Sequence, residues 1–102
     1  ILRKHEIMNI GETILTLRKE QGLSQKELAQ MAGMSANALC YIEKGYSFPS
    51  KDNIKAICHS LQVPVGYLLL KSLTDDDIPD DKLPVFKVLQ KPLLELFENH
   101  ED

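Results

Sequence analysis

Apolar residues recur at helical intervals along the first two-thirds of the chain. Ile10, Ile14 and Leu17 fall on one face of a helix that starts near Asn9. Asn9 with Glu12 three residues on approximates a capping box, and Gly22 lies just past the end, where a left-handed cap is wanted. A second helix is announced by Ser24-Gln25-Lys26-Glu27, a full Ser-x-x-Glu box, with Leu28, Ala29 and Ala32 as its apolar face. Gly33 ends it. A third helix follows almost at once, capped by Ser35, with Ala38, Leu39 and Ile42 inward and Gly45 beyond its end.

Pro49-Ser50 opens a fourth helix, in which Ile54, Ile57, Cys58 and Leu61 keep the i, i+3, i+4, i+7 spacing of a buried face. Val63-Pro64 breaks the pattern. A short fifth helix, about 65–73, turns Leu68 and Leu69 inward. Residues 74–82 hold five Asp and a Pro and read as an acidic linker. The remainder, 83–102, is a helical C-terminal extension rich in apolar residues. Pro84 suits its first turn, and Pro92 is expected to kink or split it. Residues 1–8 read as a flexible N-terminal extension, which leaves 9–73 as the folded domain.

The expected class is therefore all-α. With 102 residues and 43% hydrophobic content, one modest core is available. No apolar run reaches the roughly 20 residues of a membrane span, so a soluble, cytoplasmic protein without a membrane partner is expected. Cys40 and Cys58 form no CxxC pair, and His5, His59 and His100 are scattered, so neither a metal nor another cofactor is expected. No Ser/His/Asp set or phosphate loop suggests an enzyme. The acidic run lacks EF-hand spacing, and no small-molecule ligand is evident.

Charge changes the picture. The net charge of −3 looks wrong for a nucleic-acid binder, yet it is unevenly spread. Residues 1–73 carry nine Lys/Arg against six Asp/Glu; residues 74–102 carry three against nine. The first part can approach phosphates, whereas the tail would be repelled by them.

The central feature is a pair of helices joined by a turn at Gly33, with Ala29 small enough for a close crossing. In that register Ile14, Leu17, Arg18, Gly22, Leu23, Ser24, Gln25, Leu28, Ala29, Gly33, Ser35, Leu39, Ile42, Glu43, Gly45 and Pro49 resemble the Xre/Cro phage-repressor family, and 50–69 resemble its fourth and fifth helices. The match covers about 60 of the 102 residues. The resemblance implies a five-helix lambda-repressor-like DNA-binding domain, here with a short helical extension. It also implies a transcriptional regulator, expected to be a repressor and a homodimer on a palindromic operator.

With its apolar residues turned inward, the third helix exposes Ala36, Asn37, Cys40, Tyr41 and Lys44. An α-helix fits the major groove, where base edges are distinguishable. Ser35, Ala36, Asn37, Cys40 and Tyr41 are the candidate base readers. Asn37 is favoured because Asn pairs bidentately with adenine; it can instead be a solvated polar residue. Tyr41 can meet a thymine methyl or a phosphate, or pack on its own helix. Ala36 stands where the family often has Gln, so only apolar contact is open to it. Ser35 either caps its helix alone or also reaches the DNA.

Candidate phosphate contacts are Gln25 and Lys26 at the start of the second helix, with Lys44, Tyr46, Ser47 and Lys51 around the loop after the third. Each lysine taken singly is as well read as a solvated charge. By resemblance, Arg18 and Glu43 form a structural ion pair. Phe86, Leu89, Leu93, Leu96 and Phe97 are candidate dimer contacts, unless the extension folds back onto its own domain. Two other readings stay open: an antitoxin-type autorepressor whose tail binds a toxin, and a purely protein-binding module on the same scaffold.

Overall fold

The computed structural model describes residues 8–98 and places six α-helices in them: α1 Ile10–Glu20, α2 Gln25–Met31, α3 Ala36–Glu43, α4 Lys51–Leu61, α5 Val65–Ser72 and α6 Leu83–Glu98. No strand occurs among the described residues. Sequence accounts directly for three of the six helix starts. Ser24 Oγ accepts from Glu27 N (2.9 Å) and Glu27 Oε1 accepts from Ser24 N (2.7 Å), closing the capping box on α2. Ser35 Oγ accepts from Ala38 N and Ser50 Oγ from Asn53 N, capping α3 and α4. Asn9 departs from expectation: its side chain caps no backbone group. Its Nδ2 instead donates to Glu12 Oε1, so the two side chains satisfy each other.

The ends of α1 to α4 share one geometry. Leu23 N donates to Arg18 O, Met34 N to Ala29 O, Tyr46 N to Tyr41 O and Val63 N to Cys58 O. This is the six-to-one closure that requires a left-handed residue just before the last donor. Gly33 supplies it at the α2–α3 turn with φ +72°. After α4 the same job falls to Gln62, at φ 60°, a region that costs an L side chain about 1 kcal/mol.

Ile10, Ile14 and Leu17 of α1, Leu28 and Ala29 of α2, Leu39 and Ile42 of α3, Ile57, Cys58 and Leu61 of α4, and Leu68 of α5 form one buried cluster. Helix α1 packs on α3 and α5, and α2 on α3 and α4. Two backbone-directed contacts fix this arrangement. Gln21 Nε2 donates to Leu61 O (2.8 Å), tying the end of α1 to the end of α4. Gly11 lies so close to α3 that a Cβ there would overlap the carbonyl oxygen of Ile42. Only glycine permits that approach.

The structure adds detail at the chain ends. Residues 1–7 of the proposed flexible extension lie outside the described residues, but Met8 is anchored: its N–H donates to both carboxylate oxygens of Asp77 (3.1 and 3.2 Å). The acidic linker carries local structure of its own. It folds into two 3-10 turns, Asp75–Asp77 and Asp80–Lys82, the first closed by Thr74 N and Oγ1 donating to Asp77 Oδ2. Of the two outcomes expected at Pro92, a kink or a split, the split does not occur, since α6 runs through it. The carbonyl of Val88, deprived of its usual donor four residues on, sits at an exposed position where water can serve it.

Helix α6 packs against α5. Phe97 meets Tyr67 edge-on with ring centroids 6.4 Å apart. Yet no residue of α6 is fully buried. Among the candidate dimer contacts, Phe86 and Phe97 are half-buried against the chain's own helices, while Leu89, Leu93 and Leu96 are exposed.

Candidate nucleic-acid interface

Burial of Leu39 and Ile42 fixes how α3 is rotated, and so decides which residues look outward. Ala36, Asn37, Tyr41 and Lys44 are exposed and Cys40 is half-buried, all on one face of the helix. Ser35 stands at the head of that face. Its oxygen is engaged by Ala38 N, which leaves its O–H free to donate outward. Asn37 has no hydrogen-bond partner in the described structure, so its amide is available for a base edge.

Tyr41 and Tyr46 are edge-on neighbours, with centroids 5.9 Å apart. Both remain largely exposed. A residue assigned to base reading and one assigned to phosphate contact thus form a single aromatic pair at the C-terminal end of α3. Ser47 and Lys51 continue the exposed surface beyond it, and Lys26 is exposed on α2. Among the described residues, none of Lys26, Lys44 and Lys51 is held in an ion pair. The acidic turns are engaged elsewhere, through Asp77 to Met8 and Asp75 to Lys87 (3.2 Å).

Behind the surface lies a polar clamp. Arg18 Nε donates to Glu43 Oε2 (2.8 Å) and Nη2 donates to Glu43 Oε1 (2.9 Å), a bidentate pair. Nη1 donates to Leu23 O (3.0 Å). The Arg18 and Glu43 side chains are 9% and 2% exposed, so the guanidinium is not on the outer surface. The hydrogen bond to Glu43 raises the Arg18 pKa above its ordinary value, against the opposing pull of desolvation.

Gln25 enters the same clamp. Its Nε2 donates to Glu43 Oε1 (2.8 Å), a contact the sequence did not disclose. The amide proposed as a phosphate ligand therefore also ties the start of α2 to the end of α3 through Glu43. One glutamate locks three helices, α1, α2 and α3, behind the exposed face. A second Nε2 hydrogen and the backbone N–H of Gln25 remain for an outside partner.

Two further features escaped sequence reading. Phe48 is exposed beside the tyrosine pair. An open cavity of about 660 Å³ lies between the start of α1 and the α3–α4 loop, with Leu15, Ile42, Lys44, Tyr46 and Phe48 in its wall. Helical periodicity reports which side of a helix is apolar, and it carries no information about how far a loop stands from a neighbouring helix.

Two short helices crossing at a tight turn, with the second presenting a polar face and flanked by free cations, define a helix-turn-helix protein. A family model described as helix-turn-helix matches residues 14–68, and the chain belongs to that family. The transcriptional regulator ClgR of Mycobacterium tuberculosis is 33% identical over 61 residues, covering 60% of this chain and 54% of that protein. The immunity repressor protein of Bacillus phage phi105 is 32% identical over 62 residues, covering 61% of this chain and 43% of that protein. The chain thus spans about half the length of the curated relatives it matches. Among solved structures, the DNA-binding domain of the P22 C2 repressor superposes with a TM-score of 0.60 at 28% identity, covering 72% of this chain and 93% of that domain. The fold is accordingly all-α and lambda-repressor-like, and the Xre/Cro resemblance holds at the level of the family. No helix among the described residues is long and apolar enough to cross a membrane.

Proposed function

We propose that this protein binds double-stranded DNA in a sequence-dependent manner and regulates transcription, with α3 in the major groove. The observation that carries the reading is the exposed face of α3. It is polar or small at its start, aromatic and cationic at its end, and held rigid from behind by Arg18, Glu43 and Gln25. A face meant only for solvent needs no such clamp. Asn37 is the base reader, with Ser35, Ala36, Cys40 and Tyr41 beside it. Lys26, Lys44, Tyr46, Ser47, Lys51 and the N–H groups of Gln25 hold the backbone. Gln25 has two roles, positioning and contact. The regulator acts as a repressor, and as a homodimer it meets two half-sites about 34 Å apart, one turn of DNA.

The test is selection of bound sequences from a random duplex pool, followed by titration at several salt concentrations. Wild type is expected to enrich a short two-fold-symmetric sequence, with affinity falling steeply as salt rises. Asn37→Ala should flatten sequence preference at one position per half-site while sparing much of the non-specific affinity. Unchanged preference in that variant would remove Asn37 from base reading. The absence of any saturable, salt-sensitive binding would overturn the reading as a whole.

A further inference from the structure

The exposed face of α3 is as informative for the groups it lacks as for those it carries. Major-groove reading has a short chemical vocabulary. Guanine is best met by the donors of Arg or Lys, cytosine by a carboxylate, adenine by the amide of Asn or Gln, and thymine by an apolar group on its C5-methyl. Residues 35–41, Ser-Ala-Asn-Ala-Leu-Cys-Tyr, contain no Arg, Lys, Asp, Glu or Gln. The stretch that a recognition helix turns toward base edges is its N-terminal part, and there the guanine and cytosine partners are missing. Lys44, the first cation after this stretch, stands at the C-cap of α3, about 10 Å along the axis from Asn37.

What remains suits adenine and thymine. Asn37 is exposed and supplies an amide with both a donor and an acceptor. Ala36, beside it, is exposed as well, so its methyl fills no part of the core. Cys40 lies one turn on from Ala36, a small soft apolar group half-open to the same side. Tyr41 lies one turn on from Asn37, its ring edge-on to Tyr46 with centroids 5.9 Å apart. Ser35 keeps one hydroxyl donor beyond its capping bond, and a hydroxyl pairs with several bases and so discriminates little. Two rows thus run side by side, Ala36 with Cys40 and Asn37 with Tyr41. The first row is apolar. A cytosine amino group or a guanine edge set against it loses water and gains no partner, which is costly. A thymine methyl set there loses water to advantage.

We infer that this face selects an A·T-rich half-site through a methyl contact: Asn37 pairs with an adenine, and Ala36, with Cys40 behind it, packs on the C5-methyl of a thymine in an adjoining base pair. The inference rests on the DNA reading proposed above and deepens it, from which residues touch bases to which bases they accept. Ala36 is then a specificity-determining residue and not a gap in the interface. Discrimination at its base pair comes from a methyl and not from a hydrogen bond. It therefore separates thymine from uracil as well as from cytosine.

The experiment uses the full chain and the duplex that it enriches from a random pool. Thymines of that duplex are replaced one at a time by deoxyuridine, which keeps every base-pairing group and lacks only the C5-methyl. One thymine per half-site is expected to lose about fourfold in affinity on replacement, the worth of one buried methyl. Ala36→Gly should bind thymine and uracil alike at that position. Ala36→Gln, a good helix former at an exposed site, should move the preferred base there from thymine to adenine. This second variant keeps the test decisive if Ala36→Gly frays the first turn of α3. Enrichment of a G·C-rich half-site, or indifference of every thymine to replacement, would overturn the inference while leaving DNA binding in place. So would an Ala36→Gly that keeps the wild-type sensitivity, or an Ala36→Gln that selects the wild-type sequence. If no duplex is enriched at all, the DNA reading itself fails and this inference falls with it.

Discussion

Individual residues here carry distinct and separable energies. Gln62 holds a left-handed conformation at the end of α4 that glycine holds at the ends of α1, α2 and α3. It is exposed, so removing its side chain forfeits little packing. Gln62→Gly should therefore stabilise the protein by about 0.5–1 kcal/mol, seen as a raised urea midpoint at constant slope; a lowered midpoint would mean that the side chain makes a contact worth more than the strain. Cys58 is 2% exposed, and burial pushes its thiol pKa up. The unfolded chain then loses this proton before the folded one does, so stability is kept below the ordinary thiol pKa, about 8.5, and falls as pH rises above it. Comparing urea midpoints of wild type and Cys58→Ala between pH 7.5 and pH 10 should show the steeper decline in wild type. Cys40, half-buried on α3, should meanwhile react with a thiol reagent at neutral pH far faster than Cys58.

At the scale of the element, two short helices gain their order from neighbours more than from themselves. Seven residues in α2 and eight in α3 are well below the length at which an isolated helix is stable in water, roughly 12–15 residues. Capping by Ser24 and Ser35, the Gly33 turn and the Glu43 clamp supply the rest. Helix α1 is equally dependent on its close approach to α3 at Gly11. Gly11→Ala should cost at least 2 kcal/mol, because the added methyl meets backbone at the end of α3 and not a side chain free to move aside. The same shift would displace Glu43 and the α3 face, so DNA affinity should fall with stability; a thermal melt and a DNA titration on one preparation would check both. A variant that melts like wild type would show that the α1–α3 contact can relax without cost.

Across the whole molecule, the proposed DNA face and the outer face of α6 draw on different parts of the chain. All residues of the buried cluster lie between Ile10 and Leu68, and α6 contributes none. A chain ending at Lys82 should therefore still unfold cooperatively, less stable by about 1–3 kcal/mol through exposure of the outer side of α5. Loss of all helical signal on truncation would show that α6 is integral to the folding unit. Two carboxylates of the acidic turns are engaged by the chain itself, Asp77 near the start of α1 and Asp75 on α6.

What sequence alone determined is local. Helix starts at Ser24, Ser35 and Ser50, the Gly33 turn, and the inward faces of α1 to α5 were legible because capping chemistry and 3.6-residue periodicity act within a few residues of one another. Family resemblance added the roles of Arg18 and Glu43. Tertiary structure decided what depends on distances across the chain: Gln25 joining Glu43 from 18 residues away, Gly11 pressed against the carbonyl of Ile42, and Met8 held by Asp77 from 69 residues away. It also decided α6. The sequence showed that this helix is rich in apolar residues, but only packing on α5 could half-bury Phe86 and Phe97 and leave Leu89 and Leu96 facing water. A residue's hydrophobicity states that it seeks cover; which surface provides it is a property of the assembled fold.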